Sequence, residues 1–170
     1  MKLDLKRFAQ EPGTVLPFAL QVDLSDVEWY GARPFTQPVR VEGQVRNRAG
    51  AMELNARLDT VLSLTCDRCA KPFQREKTVE YKTLLAFELA NGESDDIVVL
   101  NQDGELELDE LMREVFLLEM DTKNLCSEDC KGLCPGCGVD LNVEPCRCKK
   151  EMDPRWAKLA QLLEREETDQ

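Results

Sequence analysis

A chain of 170 residues suffices for one domain with a real core or for one domain plus a small metal-bearing appendage, and the second organisation is expected here. With 42% hydrophobic residues, 32% charged residues and a net charge of −11, the composition is that of an acidic globular protein, which argues against non-specific phosphate binding over the whole surface. The opening MKLDLKRFAQEPG lacks a signal peptide's apolar run and no window approaches the ~18 apolar residues of a membrane span, so a cytoplasmic protein with no membrane partner is expected.

In chain order, Pro12-Gly13 bounds a first strand expected over residues 15–24. The clearest β-pattern follows over residues 39–48, where Val39, Val41 and Val45 alternate with Arg40, Glu42, Gln44 and Arg46. A turn at Asn47-Arg48-Ala49-Gly50 leads into residues 52–58, with Met52, Leu54, Ala56 and Leu58 on one side and Glu53, Asn55, Arg57 and Asp59 on the other, which makes a hairpin. Its second strand runs on through Val61, Leu62 and Leu64 to deliver Cys66 at its end. After Pro72-Phe73 another strand places Val79, Tyr81, Thr83, Leu85, Phe87 and Leu89 on one face.

Asn91-Gly92 and the acidic residues 93–96 form an exposed loop before a short buried strand at 97–100. Residues 108–120 then read as a helix with Asp109 as N-cap and Leu108, Leu111, Met112, Val115, Phe116 and Leu118 along one side. Beyond residue 148, Asp153-Pro154 starts a last helix with Trp156, Leu159, Leu162 and Leu163 as its apolar stripe. Charge divides along the chain: residues 1–80 carry 12 Lys/Arg against 11 Asp/Glu, residues 81–170 carry 10 against 22. The acidic half is a solubilising surface that also suits a basic partner, and the near-neutral half can face RNA through local arginine clusters.

Six of the eight cysteines fall within residues 126–148, and Cys66 and Cys69 lie 56 intervening residues upstream of them. In a reducing cytosol, cysteines in close pairs are metal ligands before they are disulfides. The pairs are Cys66/Cys69, Cys126/Cys130, Cys134/Cys137 and Cys146/Cys148, enough for two all-cysteine zinc sites. Cys134-Pro135-Gly136-Cys137-Gly138 has the make-up of a zinc knuckle, with the last glycine free to take positive φ. One partition makes Cys134, Cys137, Cys146 and Cys148 a local site and leaves Cys66, Cys69, Cys126 and Cys130 as a second that clips the two halves together. A competing one joins Cys66/Cys69 to Cys134/Cys137 and Cys126/Cys130 to Cys146/Cys148. A thioredoxin-type role for Cys66/Cys69 conflicts with the strand after Pro72, and the knuckle spacing favours zinc over an iron–sulfur cluster.

The chain contains no histidine, so a catalytic zinc of the usual kind, a triad and a His acid–base pair are all excluded. There is no phosphate-binding glycine loop either, and no enzyme and no small-molecule substrate are expected. Arg40, Arg46, Arg48 and Arg57 on the hairpin, with Arg68, Lys71, Arg75 and Lys77 around the first cysteine pair, are the candidate RNA contacts.

Taken together, TCDRCAKPF after a hairpin, the Leu-Asp-Glu-Leu helix start at 108–111, CSEDCKGLCPGCGVDLNVEPCRC at 126–148 and Asp-Pro-Arg-Trp-Ala-Lys-Leu at 153–159 resemble the YceD family, the large ribosomal RNA subunit accumulation proteins of bacteria and chloroplasts. The resemblance covers residues 37–163. It implies a non-enzymatic ribosome-biogenesis factor for synthesis, processing or stability of large-subunit (23S) rRNA, whose partner is that rRNA or a basic ribosomal protein or assembly factor. Some family members carry the first cysteine pair with a second metal-capable pair near Cys126/Cys130. The alternative is a zinc-dependent protein-interaction or redox-sensing module unrelated to ribosomes, and a carboxylate-based nuclease is more remote.

The expected fold class is α+β. An antiparallel sheet, with closure toward a barrel left open, carries one packed helix in residues 1–121. Residues 122–170 add a cysteine-rich zinc element closed by a C-terminal helix.

Overall fold

The computed structural model describes residues 1–48, 51–88 and 97–148. Strand β1 (Lys2–Asp4) and a 3-10 turn at Phe8–Gln10 precede β2 (Val15–Val22), β3 (Val39–Arg48), β4 (Ala51–Thr65), β5 (Pro72–Ala86), β6 (Ile97–Val99), β7 (Glu105–Glu107) and helix α1 (Leu108–Leu118). Mostly strands with one helix, the described residues form an α+β structure. The expected C-terminal helix, the acidic loop before β6, Leu89 and the end of the hairpin turn lie outside the described residues.

Strand alternation does what the pattern implies. Val41 stands opposite Leu58 and Val45 opposite Leu54, and Leu58 in turn faces Val79. All five are buried in one core with Met112, Val115 and Phe116 of α1. A fully buried Leu or Val contributes about 1.5–3 kcal/mol by leaving water, so this apolar face is the main source of stability. Asn47, fully buried at the end of β3, donates its amide to the carbonyls of Phe8 (2.8 Å) and Ala9 (3.0 Å) and so pins the N-terminal turn to the sheet.

The sheet is not closed into a barrel: its order is β2-β3-β4-β5-β6, with β1 and β7 forming a separate pair. Nor is it antiparallel throughout, because β6 runs parallel to β5, Leu84 opposite Ile97 to Ala86 opposite Val99. Closure needs a ladder between the two edge strands, and a three-residue β6 offers too few groups for one. Residues of α1 and the β1–β7 pair cover the apolar face instead.

Three local expectations are corrected. The first strand ends at Val22 rather than residue 24. Strand β6 is half-buried with Val99 exposed, and only Leu100 beyond it is buried. Helix α1 stops at Leu118, its N-cap is Glu107 without a side-chain cap bond, and Leu118 is 85% exposed rather than part of the packed side. Asp109 sits instead in the first turn, where its carboxylate meets the N-terminal ammonium at 2.8 Å and favours the positive end of the helix dipole.

Pairing of β3 with β4 begins at Arg40 opposite Asp59, whereas β4 and β5 stay paired as far as Thr65 opposite Pro72. The two longest strands therefore project as an arm beyond the sheet. The arm is braced by the Phe35–Leu62 bridge and by the Ser63 N–H on the Pro34 carbonyl at 2.9 Å. Its tip is the turn that carries Cys66 and Cys69.

Candidate metal centre

The tip closes through two backbone bonds: the Cys66 N–H to the Lys71 carbonyl and the Ala70 N–H to the Cys66 carbonyl, both 2.9 Å. Ala70 takes φ +57, a left-handed conformation unusual for a residue with a Cβ. The segment after α1 is drawn against this turn by a reciprocal pair, the Asp67 N–H to the Asn124 carbonyl (2.8 Å) and the Asn124 N–H to the Asp67 carboxylate (2.6 Å). Arg75 adds a bond to the Leu125 carbonyl (2.7 Å) and Arg68 one to the Cys130 carbonyl (2.8 Å). These ties deliver Cys126 and Cys130 to the arm. Cys66 Sγ lies 3.8 Å from Cys130 Sγ and Cys69 Sγ 3.6 Å from Cys126 Sγ.

The second cluster is built by the same turn. Cys134 N–H reaches the Val139 carbonyl and Gly138 N–H the Cys134 carbonyl, each at 2.8 Å, and Gly138 takes φ +74. Cys134 Sγ is 3.1 Å and Cys137 Sγ 3.8 Å from Cys146 Sγ. The structure thus gathers Cys66, Cys69, Cys126 and Cys130 in one tetrad and Cys134, Cys137, Cys146 and Cys148 in another, with all four sulfurs of each within 4.8 Å of one another. Four thiolates at about 2.3 Å around a tetrahedral ion stand about 3.8 Å apart, so both tetrads can hold a metal ion. The sulfur separations are far beyond the ~2.05 Å of a disulfide, and all eight thiols are free.

The acidity of the thiols points the same way. Burial pushes Cys66 up, but the backbone N–H groups of Cys126, Cys69 and Arg68 outweigh it and bring the thiol down to about 6. Cys69, favoured by the Lys71 N–H but opposed by burial and by its thiol neighbours, is pushed up to about 12. In the second tetrad, N–H groups of Cys137 and Gly136 and the Cys146 thiol bring Cys134 down to about 6, and the Cys137 and Cys146 thiols push Cys148 up to about 12. One thiol ionises readily and its neighbours then resist, because like charges this close repel. A dication at the centre removes that resistance, which is how thiolate sites come to depend on metal.

The candidate RNA contacts separate into two groups. Arg40, Arg46, Arg48 and Arg57 line the outer face of the hairpin, where carboxylates stand opposite: Arg40 faces Asp59, Arg57 faces Glu42 and Arg46 faces Glu53. Arg57 pairs with Asp59 at 2.9 Å and Arg48 with Glu53 at 3.4 Å. Arg68, Lys71 and Arg75 stand by the first tetrad and hold the cysteine-rich segment, while Lys77, further along β5, joins Arg75 on the Asp121 carboxylate, at 3.2 and 3.3 Å. Lys71 pairs with Asp140, whose carboxyl is held at about 2 by that ammonium and by the Asn142 N–H. Sequence reasoning missed Asp67, Asp140 and Asn142 as builders of the site. Only Asp140 carried a local signal, an Asp spaced to accept the N–H two residues on, at Asn142; Asp67 and Asn142 accept from the distant N–H groups of Asn124 and Lys131, which no spacing shows.

No helix among the described residues is long and apolar enough to cross a membrane. In comparisons with known proteins, the chain matches the family described as large ribosomal RNA subunit accumulation protein YceD over residues 54–163. The Mycobacterium tuberculosis protein Rv2926c is 28% identical over 179 residues, covering 96% of this chain and 81% of the relative. Large ribosomal RNA subunit accumulation protein YCED homolog 1, chloroplastic, of Zea mays is 27% identical over 150 residues, 70% of this chain and 51% of that one. Bacillus subtilis YlbN is 28% identical over 132 residues, 76% of this chain and 77% of the relative. No solved structure matches the chain. Since the matched residues 54–163 include the projecting arm, helix α1 and both tetrads, the chain belongs to the YceD family of large ribosomal RNA subunit accumulation proteins.

Proposed function

We propose that the protein is a non-enzymatic ribosome-biogenesis factor that supports synthesis, processing or stability of large-subunit (23S) rRNA, with two zinc ions holding its cysteine-rich element to the sheet. The observation that carries the reading is the family match across both tetrads. Zinc is the metal the donor set suits: eight sulfurs, no histidine, tetrahedral spacing and closed sites. Cys66, Cys69, Cys126 and Cys130 would hold one ion and Cys134, Cys137, Cys146 and Cys148 the other. The ion supplies cross-linking rather than chemistry. The protein's own side chains orient the thiolates and shield the first site from water.

Between rRNA and a basic protein as the direct contact, the geometry supports the protein. Three of the candidate cations hold the cysteine-rich segment, Lys77 pairs with Asp121 just before it, Arg40, Arg46 and Arg57 face carboxylates across the strands and Arg48 pairs with Glu53, so little positive charge remains to release counterions from phosphates. A net charge of −11 suits a lysine- and arginine-rich ribosomal protein or assembly factor. The test is the ratio of large- to small-subunit rRNA in cells depleted of the protein, complemented by the intact chain or by Cys66→Ser. The ratio should fall and only the intact chain should restore it; an unchanged ratio on depletion overturns the function.

A further inference from the structure

We propose that the two tetrads are energetically coupled, so that filling the Cys134 site raises the metal affinity of the Cys66 site, with Asn142 and Asp140 as the positioning residues that carry the coupling. The inference rests on the metal reading above and goes beyond it, since two independent zinc sites would serve that reading equally well.

Three contacts run from the loop of one tetrad to the body of the other. Asn142, which lies between Cys137 and Cys146, donates its side-chain N–H to Cys130 Sγ at 3.5 Å. Asp140, from the same loop, holds the Lys71 ammonium two residues beyond Cys69. Leu133, just before Cys134, donates its N–H to the Arg68 carbonyl inside the first knuckle at 2.9 Å. Gly132 permits that approach: a Cβ there would stand 2.9 Å from the Arg68 carbonyl oxygen, and its φ is +77.

The loop is itself ordered by its own bonds. The Asn142 N–H and side-chain amide both donate to the Asp140 carboxylate, at 2.9 and 2.7 Å. The Lys131 N–H donates to Asn142 Oδ1 at 2.7 Å and the Leu141 N–H to the Gly132 carbonyl at 2.9 Å. Residues 138–145 join the two cysteine pairs of the second tetrad, so an ion there fixes both ends of the loop. Asn142 and Asp140 are then already in place when the first tetrad closes on its own ion. The N–H donated to Cys130 fixes the position of that sulfur, and Asp140 holds Lys71 beside the first knuckle. Because coupling is reciprocal, an ion in the first tetrad raises the affinity of the second by the same factor.

The test uses the full chain, stripped of metal under reductant and titrated with Co²⁺ and then Zn²⁺ against a chromophoric chelator, with native mass spectrometry counting ions. The double variant Cys137→Ser/Cys148→Ser disables the second tetrad and leaves every ligand of the first. We expect the first site's zinc affinity to fall about 10–100-fold, the range seen when a residue behind a metal ligand is removed. Asn142→Ala should lower it while both ions still bind, and should shift the cobalt–thiolate charge-transfer band because a hydrogen bond to sulfur is lost. Lys71→Arg should retain wild-type affinity and Lys71→Met should not. Far-UV circular dichroism of the zinc-loaded variants separates these effects from loss of the sheet. Two ions binding to the intact chain, with a first-site affinity unchanged in both the double variant and Asn142→Ala, overturn the coupling alone. An intact chain that takes up no zinc overturns the metal reading and the coupling with it.

Discussion

The two cysteine tetrads use one turn for two different mechanical tasks. In each, a CxxC turn closes through the same pair of backbone bonds and ends on a residue with positive φ. Yet the first has Cys66, Cys69 and Cys130 buried, while the second buries Cys134 alone, with Cys146 half-buried and Cys137 and Cys148 exposed. The first joins the tip of the β4–β5 arm to a segment 56 residues further on. The second closes a loop within 15 residues. A cross-link stabilises more the longer the loop it closes, and a buried site exchanges its ligands less readily with water and reagents. The first tetrad is therefore a staple between distant parts of the fold and the second the fold of a small lobe.

Removing one ligand from each site separates the two tasks most directly. Cys66→Ser should release the arm from the segment after α1, and with it part of the ~10–16 kcal/mol that a structural zinc contributes. Cys148→Ser should loosen the lobe and weaken the first site only through the contacts at Asp140 and Asn142. The fall in melting temperature is expected to be several-fold larger for Cys66→Ser, measured on zinc-loaded protein. Equal falls would mean that burial and loop length do not distinguish the sites.

Much of this contrast was legible in the residues. Alternation placed β3 and β4 and their inward faces, because an apolar side and a polar side at period two admit one register. The eight residues between Cys137 and Cys146 favoured the local partition of the cysteines but left the competing one open, and the structure's two tetrads are those of the local partition. Sheet closure was not legible, because it depends on whether two edge strands meet, and β6 and the β1–β7 pair are three residues long, too short to show periodicity. The posts of Arg68, Lys71, Arg75 and Lys77 were hidden for another reason: three of them bind backbone carbonyls or a carboxylate brought in from residues 121–130, and no spacing rule tells a cation seeking phosphate from one seeking a carbonyl.

Acid should distinguish the two sites by a smaller effect. Coordination requires thiolates, so protons compete with the ion and metal binding weakens as pH falls at both sites. The exposed second tetrad should lose its ion at the higher pH, which native mass spectrometry across a pH series resolves as a one-ion species. The Lys71–Asp140 contact does not blur this reading. Asp140 has a folded pKa depressed to about 2, so what it contributes is present above its unfolded value of about 3.9 and is lost only as pH falls from there through about 2. Release above pH ~4 therefore reports the thiolates and not that ion pair. Simultaneous loss of both ions with no one-ion species would contradict the ordering.

The smallest effect lies in the residue after each CxxC, where the two turns are alike in bonding and differ in side chain. Gly138 takes φ +74 with nothing within 4 Å of where a Cβ would be, so its requirement is conformational and not steric. Ala70 takes φ +57 and bears the left-handed penalty, about 1–2 kcal/mol for a residue with a Cβ. Glycine offsets part of that gain by its greater freedom in the unfolded chain. Ala70→Gly should thus raise stability by about 0.5–1 kcal/mol, a rise of about 1–4 °C in melting temperature for a chain of this size, and Gly138→Ala should lower it by a similar amount. If the sites differ as argued, the two substitutions are separable by where they act. Ala70→Gly should slow global unfolding, because the arm's tip belongs to the staple. Gly138→Ala should speed alkylation of Cys137 and Cys148 in the lobe while leaving Cys66 and Cys130 protected, and alkylation of all four at one rate would show that the lobe and the staple open together.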